Sequence, residues 1–382
     1  MIILGIETSC DDTGIAVIEA KPAKTGPIFN ILSNIVSSQI KIHAPFGGVV
    51  PNLAAREHLK NIKPCLQQAL REAGVTLKDT CPPMRRVDLI AVTIGPGLIP
   101  SLLIGVNFAK ALAYKYKIPI VGVNHLEGHI AAALTSSGHG ISNFQFPIFK
   151  TTFPAVALLV SGGHTQLILM QKFGHPAKKS SISNGASYKI IGETRDDAAG
   201  ECFDKVAKLL GLGYPGGPII SQKAAEFNGK TSINLPRPMM NQNNFDFSFS
   251  GLKTAVLYLT RDNKNELKNP EFIQELCHET QQAIIDVLIS KTFKAVNKHK
   301  AKTIILSGGV AANTELREQF LNKIQETRNK KQTINFLVPS KNLCTDNGAM
   351  IAMAGYYGAK RHPALRGNSL NSITANANLR IK

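Results

Sequence analysis

Two apolar segments that lie far apart in the chain, residues 156–160 and 303–306, each run directly into Ser-Gly-Gly. Both segments have the length and composition of a buried β-strand. Glycines directly after a strand let backbone N–H groups approach a phosphate closely, or let a nucleoside lie against the chain. One such turn is weak evidence, but its repetition predicts two related lobes that hold a nucleotide between them.

The chain opens with a predicted β-hairpin whose turn is rich in hydroxyl and carboxyl side chains. Residues 2–6 and 15–19 read as its strands, and the turn between them contains Ser9, Asp11 and Asp12. Hydroxyls can donate hydrogen bonds and carboxylates can accept them or bind a metal ion. The turn therefore suits phosphate or metal chemistry, and an ordinary polar turn is the alternative.

His125 and His129 lie four residues apart in an apolar, alanine-bearing run that predicts a helix. At about 100° per residue the two rings fall on one face, about 40° apart and one turn up, which suits a first-row metal ion. Glu127 comes two residues after the first histidine, so it points away from that face and does not match a metalloprotease helix. A helix that happens to carry two histidines is the alternative.

A metal at this pair needs a third ligand from elsewhere in the chain. Asp346 stands at the start of a predicted helix of small residues that runs to about residue 357. As a ligand it would complete a His-His-carboxylate set with positions open for substrate. As a helix N-cap it would have only a structural role.

The length and the alternation of elements predict an α/β protein with two lobes. A chain of 382 residues can bury two cores. We place the N-terminal lobe at 1–134 with a returning helix at about 346–382, a linker at 135–154 and the C-terminal lobe at 155–345. Amphipathic spacing predicts a helix over 51–73, and near the end of a long helix over 270–299 the cations Lys291, Lys294 and Lys298 predict a solvated face.

Composition narrows the choice of partners. Lys and Arg outnumber Asp and Glu by 44 to 26, which favours nucleic acid as a large partner. The chain shows no signal-peptide pattern and no apolar run of about 18 residues, so we expect no membrane segment. Its six cysteines are scattered without a C-x-x-C pair, which fits free thiols in a reducing cytoplasm.

Nine ordered strings carry a family resemblance. They are ETSCDDTG, FGGVVPNLAAREH, GPGLIPSLLIG, HLEGH, LVSGGHTQL, DDAAGECFDKVAKLLGLGYPGGP, FSFSGLKT, SGGVAAN and CTDNGAM. Together they resemble the universal tRNA threonylcarbamoyladenosine synthase family, in particular its bacterial and organellar transferase subunits, from residue 3 to about 358. The resemblance implies a two-lobed fold like that of actin, hexokinase and sugar kinases, with a ribonuclease-H-like mixed sheet in each lobe.

The resemblance also implies a reaction. The threonylcarbamoyl group of threonylcarbamoyl-AMP is transferred to the N6 amine of the adenosine 3′ of the anticodon, in tRNAs that read ANN codons, and AMP is released. It implies one divalent metal ion per subunit, usually iron and in some cases zinc. The implied partners are tRNA together with helper proteins of the bacterial complex or a second copy of the chain, in the cytoplasm and without a membrane.

Carried over by position, the resemblance assigns roles to residues of this chain. The metal ligands fall on His125, His129 and Asp346. The substrate-binding residues fall on Leu159, Val160, Ser161, Gly162, Gly163, Asp204, Gly217 and Asn313. Asp11 and Asp12 match an acidic pair that often reads Asp-Glu, and Asp11 is the candidate to accept the proton of the amine. At position 221 some relatives carry an acid that contacts substrate, where this chain has Ser221.

Two other functions compete with the transferase. A metallopeptidase would use the same histidine pair, but Glu127 is in the wrong position for it. A non-catalytic ATP-binding scaffold would use the two glycine loops for a conformational switch. The activated mixed anhydride needs no protein nucleophile, and the sequence has no motif that pairs a Ser or Cys with a base.

Overall fold

The fold is described from a computed structural model. It describes residues 1–22, 27–79, 84–135, 151–171, 187–328, 333–361 and 370–381. Most of the predicted linker at 135–154 lies outside these ranges. Within them, no helix combines the length and apolar character needed to cross a membrane.

The first of two mixed five-stranded sheets is built around the opening hairpin. Its strands are β1 (Ile2–Glu7), β2 (Thr13–Lys21), β3 (Ile28–Ser37), β6 (Leu89–Gly95) and β7 (Ile120–Asn124), and two short strands, β4 (Val75–Thr76) and β5 (Arg85–Arg86), pair separately. The order is β3-β2-β1-β6-β7, with β1 antiparallel to β2 and parallel to β6. The predicted hairpin is confirmed.

The second sheet repeats this topology. Its strands are β8 (Ala155–Val160), β9 (Thr165–Met170), β10 (Tyr188–Glu193), β11 (Thr303–Ser307) and β12 (Asn335–Leu337), in the order β10-β9-β8-β11-β12. The central β8 is antiparallel to β9 and parallel to β11. The two sheets therefore have equivalent strand orders and directions, which confirms the predicted mixed α/β class and is consistent with two lobes.

Ten helices of the described chain complete the fold. They are α1 (Ile40–His43), α2 (Pro51–Ala73), α3 (Ile99–Tyr116), α4 (His125–Thr135), α5 (Ala199–Leu209), α6 (Gly216–Glu226), α7 (Ser250–Asp262), α8 (Pro270–His299), α9 (Thr314–Arg328) and α10 (Gly348–Arg361). The predicted helix over 51–73 is confirmed: Pro51 fits its first turn, and Gly74 ends it in a left-handed conformation with φ of 63°.

Helices α4 and α10 lie between the sheets. Helix α10 packs on β1 and β2, and α4 packs on β8 and β11. One hydrophobic core joins side chains of both sheets and both helices, including Ile3, Ala16, Ile130, Leu159, Ile305 and Met353. The first turns of the two helices therefore meet at the junction between the sheets.

The prediction of a solvated lysine face near the end of α8 is wrong for Lys291, whereas Lys294 is half-buried and Lys298 is exposed. Lys291 is fully buried, and its ammonium donates to the carbonyl and side-chain oxygens of Asn244 at 2.9 and 3.1 Å. Lys294 donates to the carbonyl of Gln242 at 2.7 Å, and Lys298 lies over the Phe245 ring. These cations bind the segment that precedes α7 because its carbonyls lie within their reach.

Candidate metal centre and active site

Helix α4 begins directly at the end of β7, so His125 occupies its first turn and His129 the next. Both rings are buried. Their centroids are 4.7 Å apart with the ring planes at 85°. The helical spacing thus brings the two imidazoles together, as predicted.

Asp346 joins this pair from the start of α10. The side chain of its neighbour Asn347 accepts the Met350 N–H at 3.0 Å and caps the helix, so the N-cap interpretation of Asp346 is wrong. The Asp346 Oδ1 lies 3.3 Å from Nε2 of His129 and 3.5 Å from Nε2 of His125. The cap on Asn347 therefore leaves the Asp346 carboxylate to face both rings.

The three side chains fit a divalent metal ion. One ligand atom from each lies within 4.8 Å of the others. Within the described part of the chain, Nδ1 of His129 has no hydrogen-bond partner and Nε2 faces the Asp346 carboxylate, although burial of an unpaired polar group is unfavourable. Two imidazoles and one carboxylate form a donor set that both iron and zinc accept, with positions open for substrate.

Glu7, at the end of β1, orients the ring of His125. Its fully buried carboxylate lies 3.1 Å from Nδ1 of His125 and accepts the Thr93 hydroxyl at 2.6 Å and the Ser9 N–H at 2.5 Å. A carboxylate only accepts hydrogen bonds, so Nδ1 carries the proton and Nε2 faces Asp346. Such an outer carboxylate is the usual partner of a metal-bound histidine.

Charge balance at the cluster also suits a cation. Burial would lower the pKa of His125, but the charges of Asp346 and Glu7 raise it to about 9. Burial opposes ionisation of Asp346, but His125 and His129 hold the pKa of its carboxyl well below its usual range. The carboxylates thus draw positive charge into the site, and metal binding would release that proton.

The acidic turn between β1 and β2 lies beside the cluster. Burial, together with the charges of Asp11 and Asp346, raises the pKa of Asp12 to about 7. Burial and Asp346 also raise the pKa of Asp11. The ring of His58, on α2, contacts the Thr13 hydroxyl at 2.8 Å and the carbonyl of Cys10 at 3.0 Å. That ring holds the turn from both ends.

The first glycine loop reaches the same cluster. Leu159 and Val160 end β8 and are buried, whereas Ser161 is half-buried and Gly162 and Gly163 are exposed, with open space where a Cβ would stand. In the same loop, burial and the charges of the two α4 histidines lower the pKa of His164 to about 4. The predicted substrate loop therefore borders the candidate metal centre.

The second glycine loop packs against the first. Gly308 has φ of 92°, and a Cβ there would lie 2.3 Å from the carbonyl oxygen of Val160. Only glycine allows this approach. The repeated Ser-Gly-Gly motifs therefore meet in space.

The remaining predicted substrate residues lie around these loops. Asp204, on α5, accepts the Gly216 N–H at 2.7 Å, next to Gly217, and burial raises its pKa to about 6. The Asn313 side chain accepts the Leu316 N–H at 2.9 Å and donates to Gln281 at 2.7 Å. Ser221 is half-buried on α6.

Sequence reasoning assigned no individual role to four residues of this region: Glu7, His58, His164 and Tyr214. Burial raises the pKa of Tyr214, and the charges of Asp11 and Asp204 raise it further, so its phenol lies between the acidic turn and α5. In the sequence, the Tyr-Pro-Gly-Gly motif predicts only that Tyr214 lies in a loop. The four side chains interact with residues on other helices, strands and loops, and the spacing of residues along the chain does not reveal such contacts.

Comparison with known proteins identifies the family. Residues 30–353 match the family model TsaD, described as tRNA N6-adenosine threonylcarbamoyltransferase. The protein of that name from Thermodesulfovibrio yellowstonii is 46% identical over 358 residues, or 93% of this chain and 94% of its own. The one from Thermosipho melanesiensis is 44% identical over 356 residues, with the same coverage.

A solved structure supports the fold alone. Full-length HypF in its phosphate- and nucleotide-bound form aligns with a TM-score of 0.50 and 12% identity, over 94% of this chain and 55% of that chain. The sequence relatives span nearly the whole chain and have one shared name. The chain therefore belongs to the tRNA N6-adenosine threonylcarbamoyltransferase family.

Proposed function

We propose that the chain performs a metal-assisted acyl transfer to tRNA. It is an acyltransferase that moves the threonylcarbamoyl group of threonylcarbamoyl-AMP to the N6 amine of the adenosine 3′ of the anticodon, in tRNAs that read ANN codons, and AMP leaves. The observation that carries the proposal is the meeting of His125, His129 and Asp346 beside the glycine loop, in a chain of this family.

We assign the chain a two-lobed fold of the actin, hexokinase and sugar-kinase type, with ribonuclease-H-like sheets. The equivalent topologies of the two sheets support this assignment. The N-terminal lobe is residues 1–134 with the returning segment 346–382, and the C-terminal lobe is residues 155–345, after a linker at 135–154. The substrate cleft lies between the lobes, where α4 and α10 begin.

His125, His129 and Asp346 would hold one divalent ion, iron or zinc, and Glu7 would keep the His125 ring in its ligating orientation. When bound, such an ion supplies positive charge for the carbonyl and phosphate oxygens of the substrate. The two histidines lie on α4 and Asp346 lies just before α10. The two helices share one core, so the relative positions of the ligands are set before substrate binds.

The adenylate lies along the first glycine loop. Residues Leu159 to Gly163 present backbone groups to it, and the open space at Gly162 and Gly163 leaves room for close approach. Asp204 accepts bonds from the ribose hydroxyls, and Gly217 and Asn313 complete the pocket. Asn313 exchanges its present bonds for contacts with the nucleotide.

The reaction needs no protein nucleophile because the mixed anhydride is already activated. The adenine is splayed out of the anticodon loop, and its amine attacks the threonylcarbamoyl carbonyl carbon. The bond from that carbon to the phosphate oxygen breaks, and AMP takes the electron pair. The acidic pair Asp11 and Asp12 accepts the proton of the amine, a role that suits an Asp12 pKa of about 7.

The partners that follow from this function are tRNA and either helper proteins of the bacterial complex or a second copy of the chain. The basic composition, with 44 Lys and Arg against 26 Asp and Glu, favours an RNA substrate. A tRNA-modifying role would place the protein in the cytoplasm.

The test combines His125→Ala with Asp346→Ala and follows bound metal and tRNA modification in a single turnover with threonylcarbamoyl-AMP. Both should be lost together. His278→Ala, on α8 with its ring packed against Phe227 at a tilt of 46°, is the control and should keep both. Full activity of a metal-free double variant would end the metal proposal, and unmodified tRNA with the unsubstituted protein and its helpers would indicate a scaffold.

A further inference from the structure

The loop after α1 bridges the acidic turn and helix α5. It consists of a turn, Ala44–Phe46, followed by Gly47 and Gly48. The exposed Lys208, near the end of α5, donates to the Phe46 carbonyl at 3.4 Å. A Cβ on Gly47 would lie 3.1 Å from the Lys208 side chain. The Lys208 ammonium therefore lies against this loop, although the two are far apart in sequence.

The loop is anchored next to the acidic turn. Ser38 and the Gln39 backbone bind the Asp12 carboxylate. The Gln39 side chain contacts Nε2 of His43 at 3.0 Å, and the Val50 N–H donates to Nδ1 of His43 at 3.3 Å. These contacts tie both ends of the loop to the turn that carries the proposed proton acceptors.

The α5 side of this contact also leads to the proposed adenylate pocket. Lys208 lies four residues after Asp204, so both point from the same face of α5. The charge of Asp11 contributes to the raised pKa of Asp204. Phe46 and Lys208 therefore lie beside the region where adenylate and target base would meet.

The Phe46 ring has no structural explanation in the described fold. It is 57% exposed, and no aromatic ring or cation among the described residues stacks on it. By contrast, Tyr258, which is 52% exposed, has the Arg261 guanidinium over its ring. An exposed aromatic ring next to a lysine, on a loop followed by two glycines, suits binding of single-stranded RNA, because the ring can stack on a base and the ammonium can bind a phosphate.

We propose that Phe46 is a stacking platform for an unstacked base of the tRNA anticodon loop, and that Lys208 binds a phosphate of the same loop. This inference rests on the proposed function, because it takes the RNA substrate from it. The ring would accept any base face, and the ammonium would add a contact that salt weakens. The pair would hold the loop while the target adenine enters the cleft.

The test measures binding of an anticodon stem-loop RNA across a range of KCl concentrations. Phe46→Ala should raise the Kd for RNA about 5- to 150-fold with an unchanged salt slope, whereas Phe46→Tyr should bind like the unsubstituted protein. Lys208→Gln should reduce the slope of log Kd against log[KCl] by about one, the amount expected for the loss of one phosphate contact. The Kd for AMP should stay unchanged in all three variants. Tyr258→Ala and Lys302→Gln, at exposed positions away from the loop, are the matched controls.

Several results would overturn the inference. Unchanged RNA binding by Phe46→Ala and Lys208→Gln would exclude the contact. A loss matched by weaker AMP binding or a lower unfolding midpoint would show a structural role. A defect seen only when helper proteins are present would show a protein interface instead. Failure of the proposed function would give a different result, because the unsubstituted protein itself would then leave tRNA unmodified.

Discussion

The Glu7 carboxylate lies 3.1 Å from Nδ1 of His125 and is fully buried behind it. This contact fixes the ring so that its other nitrogen faces Asp346. Glu7 is also held by Thr93 and by the backbone of Ser9. The geometry of the candidate metal centre therefore depends on a strand of the first sheet as well as on α4 and the segment just before α10.

Glu7→Gln is expected to weaken metal binding about 10- to 100-fold, as loss of an outer carboxylate does at other metal-histidine sites. The amide still fits the site but lacks the charge that makes the imidazole a better donor. Equilibrium dialysis with Zn²⁺ measures the change. Glu72→Gln, an exposed substitution on α2, should bind Zn²⁺ normally, and normal binding by Glu7→Gln would remove Glu7 from the site.

The affinity for AMP should rise as the pH increases through about 6. Burial raises the pKa of Asp204 to that value, against the opposing bonds from Gly216 and Gly217. Below about pH 6 the carboxyl is protonated and accepts ribose hydroxyls poorly. Above it, the ionised group should strengthen binding about tenfold, the usual size for a hydrogen bond to a charged group.

Asp204→Asn isolates this effect, because the amide oxygen can still accept the Gly216 N–H. The AMP affinity of the unsubstituted protein is divided by that of Asp204→Asn at each pH from 5 to 8, as measured by calorimetry. This ratio cancels the titration of other groups. That ratio should increase with pH and level off above 7. A ratio that does not change with pH would contradict a ribose contact. Glu271→Gln, at an exposed position on α8, should follow the unsubstituted protein.

Elements with a strong local pattern could be predicted from the sequence. The helix over 51–73 and the opening hairpin follow from apolar spacing and turn residues, and both are present. The rings of His125 and His129 meet because helical geometry alone sets their separation. The meeting of the two glycine loops follows from the repeated topology of the two sheets.

Contacts between distant elements could not be predicted in this way. Glu7 reads as the first residue of the polar turn that follows the strand at residues 2–6, and nothing near it in sequence indicates His125. Asp346 and Asn347 are equivalent N-cap candidates by residue type, and only the helix start at Gly348 separates their roles. Lys291 looks like a solvated cation because its partners come from another segment.

Lys291→Met should lower the free energy of unfolding by about 1–3 kcal/mol, because it removes the hydrogen bonds of a buried ammonium to the carbonyls of Gln242 and Asn244 and to the Asn244 side chain. Urea denaturation measures the difference. Lys294→Met is the matched control: that side chain is half-buried and donates once, to Gln242, so its loss should be smaller. Equal stability of the two variants would restore the interpretation of a solvated face.

Gly348→Ala should destabilise the protein by about 3 kcal/mol or more, because overpacking against backbone cannot be relieved by side-chain movement. A Cβ at Gly348 would lie 2.4 Å from the Ala16 nitrogen and 2.8 Å from the Gly5 oxygen, so the start of α10 would have to move off the first sheet. That movement carries Asp346 away from the histidines, and Zn²⁺ retention should fall together with the urea midpoint.

Gly358→Ala, in the same helix, meets only Val121 at 3.4 Å and should change stability by no more than about 1 kcal/mol, since alanine favours the helix. If Gly348→Ala matched Gly358→Ala in both measurements, close packing of α10 on the hairpin would not be what positions the third ligand.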